Sequence, residues 1–97
     1  MVDTTQLQIL RGEVLKELYK FQGDSVKIGV IKKAFSPSEG LPLSRLRSVL
    51  NYLRDKKFIE WDQRDEIDNN DDTLRITANG QNIVEGSYSD VGIIILD

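Results

Sequence analysis

The sequence predicts an α+β fold: three helices, a two-stranded β-hairpin, a short fourth helix and an apolar tail strand. Three observations carry this. Apolar residues recur at three- and four-residue steps within 4–21 and again within 43–57, the spacing of one helical face. Around 58–63 and 73–77 apolar and polar residues alternate, the period of a strand, with a polar segment between them. Finally, Val91-Gly92-Ile93-Ile94-Ile95-Leu96 is a continuous apolar run rich in β-branched residues, which suits a strand over about 91–96 better than a helix. At 97 residues, 39% hydrophobic and 30% charged, the chain has the size and composition of one domain spanning 1–97.

Taken in order, Asp3 and Gln6 resemble a capping box, and Leu7, Leu10, Val14, Leu18 and Phe21 then share a face, giving helix 1 at about 4–21. Gly23 and Asp24 break it. Ser25 is a candidate cap for a second helix at about 25–35, with Val26, Ile31, Ala34 and Phe35 as its apolar contacts and Gly29 as its weak point. The stretch from Ser36 to Pro42 is rich in breakers and reads as a turn between crossing helices. Helix 3, about 43–57, carries the stripe Leu43, Leu46, Val49, Leu50 and Leu53. At 100° per residue Ser44, Ser48, Asn51, Tyr52 and Asp55 point away from that stripe, with Arg45, Arg47 and Arg54 on its shoulders. The polar segment from Gln63 to Thr73 forms the long tip of the hairpin. A last helix over about 78–86 starts at Thr77 and stops at Gly86.

Composition excludes several classes of function. Without cysteine there is no disulfide framework and no thiolate nucleophile or ligand; without histidine the commonest proton-transfer group and nitrogen ligand are missing. No catalytic residue and no cofactor is implied. Asp68-Asn69-Asn70-Asp71-Asp72 superficially resembles the start of a calcium loop, but Thr73 stands where the turn glycine belongs and Asn79 where the closing glutamate belongs. A solvated loop is the expectation instead, and no metal site is implied. The first eleven residues lack the basic and apolar regions of a signal peptide, and no apolar stretch approaches the roughly 20 residues of a membrane span. An intracellular, cytoplasmic protein with no membrane partner is expected.

Three helices followed by a hairpin outline a winged helix, whose third helix can enter a DNA major groove. Residues 46–59 (LRSVLNYLRDKKFI) and 74–86 (LRITANGQNIVEG) resemble the helix-to-wing junction and the wing exit of small bacterial winged-helix regulators. Lys57 occupies the place where many such proteins carry glycine. More narrowly, the layout of 6–92, with Glu85-Gly86 followed by Asp90-Val91-Gly92, is similar to the short winged-helix proteins of Mu-like phages and prophages. The resemblance implies a winged-helix fold and a DNA-binding role in transcription regulation.

Charge gives an independent view, because Lys and Arg neutralise phosphates and dominate DNA affinity. The net charge of −3 is unfavourable, yet the charges are segregated. From Val26 to Lys57, Lys27, Lys32, Lys33, Arg45, Arg47, Arg54, Lys56 and Lys57 face only Glu39 and Asp55, a local balance of +6. From Glu60 to Asp72 the local balance is −6, so the hairpin tip would be repelled by a phosphate backbone. Any DNA contact is therefore expected from helix 3. Arg45 and Arg47 suit guanine edges or phosphates, Ser44 and Ser48 suit phosphates, Asn51 suits an adenine edge, and Arg54, Lys32 and Lys33 complete the candidate set. The alternative is that all are ordinary solvated positions, with Lys32 and Lys33 complementing a helix dipole.

Trp61 suits stacking on a base or partner, or a core-facing place in the hairpin. For the tail, Val91, Ile93, Ile94, Ile95 and Leu96 must be covered. They either pair with a second copy, making a homodimer, or fold back onto helix 1. A protein-interaction module that binds no DNA is the alternative function, with the acidic hairpin meeting a basic partner.

Overall fold

The computed structural model describes residues 4–39, 43–62 and 72–96, without the side chains of 36–39 and 43–44. The cap expected at Asp3, part of the expected turn (40–42) and most of the acidic hairpin tip (63–71) lie outside the described residues. Along the chain run α1 (Thr4–Tyr19), β1 (Val26–Lys27), α2 (Ile28–Glu39), α3 (Leu43–Asp55), β2 (Ile59–Asp62), β3 (Thr73–Ile76) and α4 (Ala78–Glu85). The described residues thus form a small α+β domain of four helices and one antiparallel three-stranded sheet, in the order β1-β3-β2.

The helices bury the stripes their spacing dictates. Val14, Leu15 and Leu18 of α1 and Leu46, Val49, Leu50 and Leu53 of α3 lie in one core. Ile28 and Ile31 of α2, Ile83 of α4, Val26, Ile59, Leu74 and Ile76 from the sheet, and Phe58 and Ile93 complete it. A fully buried leucine such as Leu53 contributes about 1.5–3 kcal/mol relative to leaving it exposed. In the hairpin, Ile59 pairs with Ile76 and Trp61 with Leu74, so these residues share the inner face while Glu60 and Arg75, also paired, share the outer one.

The sheet corrects the expectation of a two-stranded hairpin and of a helix over 25–35. Val26 and Lys27 are extended and pair with Leu74 and Thr73, and α2 begins only at Ile28. The buried Val26 gains more by completing the sheet than by opening a helix that Gly29 weakens. The Ile28 N–H then donates to the Asp72 carbonyl at 2.7 Å, tying the start of α2 to the hairpin. At its other end α2 continues to Glu39, past Pro37, which forfeits one backbone bond.

Two helix ends are fixed by local chemistry. The Thr77 hydroxyl accepts from the Gly80 N–H at 3.2 Å and donates to the Lys57 carbonyl at 2.8 Å, so one side chain caps α4 and anchors it to the end of α3. Gly86, at φ 83°, closes α4 in the left-handed region.

The tail strand expected over 91–96 does not form; after a turn at 91–92 these residues run in irregular backbone along α1 of the same chain. The Ile94 N–H donates to the Gln8 carbonyl at 3.0 Å. Side chains of α1 cap the tail's own carbonyls: Gln8 Nε2 bonds Val91 O at 2.8 Å, Arg11 bonds Gly92 O at 3.0 Å, and Lys16 Nζ bonds Leu96 O at 2.5 Å. Gly12 makes this possible. A Cβ there would run into the carbonyl oxygen of Ile94 and lie 2.9 Å from its carbon, so only a bare Cα lets the tail backbone lie on the helix. Among the described residues no helix is long and apolar enough to cross a membrane.

Candidate nucleic-acid interface

Because α3 spends Leu46, Val49, Leu50 and Leu53 on the core, its remaining positions form a solvent face with two shoulders. Arg47 and Ser48 are exposed, and Asn51 and Arg45 are half-buried. Ser44 belongs to the same helix, its side chain outside the described ones. The helix ends in a Schellman motif: the Phe58 N–H reaches back to Leu53 O at 2.9 Å and the Lys57 N–H to Arg54 O at 2.9 Å. Lys57 takes the left-handed place of that motif at φ 67°, where glycine is the unstrained residue. Phe58 thereby enters the core one residue before β2, which holds the hairpin against α3.

The shoulder toward the hairpin carries Arg47 and Arg54, seven residues apart and therefore about 10.5 Å along the axis. The Arg54 guanidinium lies over the Trp61 ring, 5.3 Å from its centroid, within cation–π range. Its Nε is 3.6 Å from Asp55 Oδ1, an exposed pair of little energetic weight. Trp61 is half-buried, and its indole N–H donates to Asp72 Oδ2 at 3.3 Å. Asp72, which the sequence counts among the acids of the tip, is fully buried at the indole N–H.

Toward the tail, the shoulder carries Tyr52 and Lys56 and meets α1. The Tyr52 hydroxyl donates to Asp90 Oδ2 at 2.5 Å, the Gly92 N–H donates to the same oxygen at 3.0 Å, and Lys56 Nζ stands 3.8 Å from Oδ1. Arg11 stacks on the other side of this group, its guanidinium carbon 3.9 Å from the Tyr52 centroid. Among the described residues the Arg11 Nε is a buried donor with no hydrogen-bond partner, so the aromatic face and the nearby carboxylate offset its desolvation. Burial pushes the Asp90 carboxyl up, but the Tyr52 hydroxyl, the Gly92 N–H, Lys56 and Arg11 together outweigh it and hold the carboxyl below its ordinary value. Burial, then the bond to Asp90, raises the Tyr52 phenol.

The structure therefore brings Arg45, Arg47, Ser48, Asn51 and Arg54 together on one helix and leaves Lys32, half-buried, and Lys33, exposed, on another, α2. Of the tail residues expected either to pair with a second copy or to fold back onto helix 1, Ile93 is buried within the chain, Ile94 and Ile95 are half-buried, and Val91 and Leu96 remain exposed. Sequence reasoning missed Arg11 and Asp90. The signal for Arg11 was present: it lies four residues after Leu7 and three before Val14, a charge inside an apolar stripe next to a helical glycine. Among the described residues no cluster of three or more His, Cys, Asp or Glu forms a metal site. Comparisons with protein-family models, curated proteins and solved structures find no match to this chain, leaving its residues and geometry as the grounds for a functional reading.

Proposed function

We propose that this domain binds double-stranded DNA as a winged helix, with α3 entering the major groove, in the manner of a small transcriptional regulator. The observation that carries the proposal is the solvent face of α3, where Ser48 and Asn51 are flanked by Arg47 and Arg54 on one shoulder and Arg45 on the other, opposite a face locked in the core. A helix with its side chains is about 10–12 Å across and the major groove about 12 Å wide. Arginine pairs with guanine O6 and N7, and asparagine with adenine N6 and N7, so the face holds the groups that discriminate base pairs. The chain order of helix, strand, two helices and two strands supports the winged-helix reading. The regulatory, phage-type assignment is supported by the sequence resemblance alone.

The test is fluorescence anisotropy of a labelled random-sequence duplex at about 50 and 200 mM salt, between which a protein with several phosphate contacts loses orders of magnitude in affinity. A steep loss supports the proposal. The net charge of −3 favours a second reading, a protein-interaction module whose α3 meets an acidic partner. Absence of binding at the lower salt selects it.

A further inference from the structure

We infer that the DNA backbone lies against the hairpin-side shoulder of α3, with Arg54 as the phosphodiester contact and Trp61 as the residue that positions its guanidinium. This rests on the DNA-binding reading of α3 and specifies which side of the helix the phosphates occupy.

The two shoulders differ in what already occupies their cations. On the tail side Lys56 and Arg11 face the carboxylate of Asp90, which is 10% exposed and held by two hydrogen bonds. Both cations there are already engaged with a carboxylate that the fold holds in place. On the hairpin side the ion-pair partner of Arg54 is Asp55, itself 73% exposed and 3.6 Å from Arg54 Nε, a contact that solvent screens and a phosphate can replace. The Arg54 side chain keeps 40% of its surface open.

Trp61 makes Arg54 more than an extended surface arginine. Its indole N–H is held on the buried Asp72 at 3.3 Å, and Leu74 pairs with it across the sheet, so the ring is a fixed platform. A guanidinium resting on that platform, 5.3 Å from the centroid, has already lost much of its rotamer freedom before DNA arrives, which lowers the ordering cost of a contact. A cation–π contact engages the ring face and does not consume the guanidinium's N–H donors, the groups phosphate oxygens accept. Glu60 and Asp62, on either side of Trp61 in β2, fall on the opposite face of the strand, Glu60 paired with Arg75, so their charges are turned away from this approach.

The experiment titrates a labelled duplex with wild type, Arg54→Gln, Trp61→Phe, Trp61→Leu and Lys56→Gln across a salt series, with far-UV circular dichroism reporting folding of each. Loss of one phosphate contact removes about one unit from the slope of log affinity on log salt, so the advantage of wild type over Arg54→Gln shrinks about three- to fourfold between about 50 and 200 mM salt. Trp61→Leu is expected to reproduce that loss of slope, Trp61→Phe to restore it, and Lys56→Gln to keep the wild-type slope. Wild-type fluorescence, which comes from the single tryptophan, is expected to change on DNA addition. A wild-type slope in a DNA-binding Arg54→Gln protein, or a loss of slope in Lys56→Gln instead, overturns the inference while leaving DNA binding intact. Absence of wild-type binding at the lower salt overturns both.

Discussion

The two shoulders of α3 carry similar side chains and have opposite fates. On the tail side an arginine, a lysine and a tyrosine converge on Asp90 and become structural, joining α1, α3 and the end of the chain. On the hairpin side an arginine rests on a tryptophan and keeps its charge turned to solvent. A basic residue's role is set by whether a neighbouring element delivers a carboxylate to it, since a carboxylate held by the fold engages the cations around it whereas a guanidinium beside an exposed carboxylate keeps its donors available.

Breaking the tail-side shoulder should have the largest effect. Gly12→Ala gains about 0.5–1 kcal/mol of helix propensity but forces the tail backbone off α1, and overpacking of this kind costs about 1–3 kcal/mol. A net loss in urea unfolding, with faster proteolysis after Asp90, is the expected outcome. Equal or greater stability would show that the tail is not seated on Gly12.

Asp90→Asn isolates the carboxylate. Removing a charge-assisted hydrogen bond and an ion pair from a mostly buried site should cost about 1–2 kcal/mol. Its pH dependence carries a sign. The folded-state pKa of Asp90 is depressed, so its contribution is fully present above the unfolded value of roughly 3.9 and is lost as pH falls through the lower folded value. The stability gap between wild type and Asp90→Asn should therefore be constant near neutrality and close in acid; a gap that persists at the lowest pH would place its origin outside this titration.

Arg47→Ala probes the hairpin-side shoulder. DNA affinity should fall about tenfold, equivalent to about 1.4 kcal/mol, with urea stability within about 0.5 kcal/mol of wild type. Unchanged binding would remove Arg47 from the interface. The smallest effect concerns the junction that sets both shoulders. Lys57→Gly relieves a left-handed residue at φ 67° and should stabilise the domain by about 0.5–1 kcal/mol, read as a higher urea midpoint with an unchanged slope.

Much of this architecture is legible in the residues. The stripes Val14–Leu18 and Leu46–Leu53 announce α1 and α3 because helical period and burial coincide there, and Thr77 and Gly86 mark α4 through capping chemistry that acts over a few residues. The third strand was not legible, since two residues cannot display a period and Val26 becomes a strand only when Leu74 lies beside it. The tail was legible in part: folding back onto helix 1 was one of its two expected fates, but a run of isoleucines has the same β-branched signature whether it pairs in a sheet or lies on a helix, so the sequence could not choose. Of the candidate site, the outward arginines of α3 were readable from the wheel, while Arg11, Asp90 and the burial of Asp72 depend on elements distant in sequence.

By itself, then, the sequence determined what is local: which segments are helical, where two helices stop, which face of α3 is apolar, and that its charges are segregated along the chain. The tertiary structure alone decided which cations are spent and which are left. That choice requires Asp90 to come within 2.5 Å of Tyr52, 38 positions away, and Trp61 to pass beneath Arg54. Period and propensity report on neighbours within about one turn, whereas electrostatic pairing is fixed by distances that only packing creates.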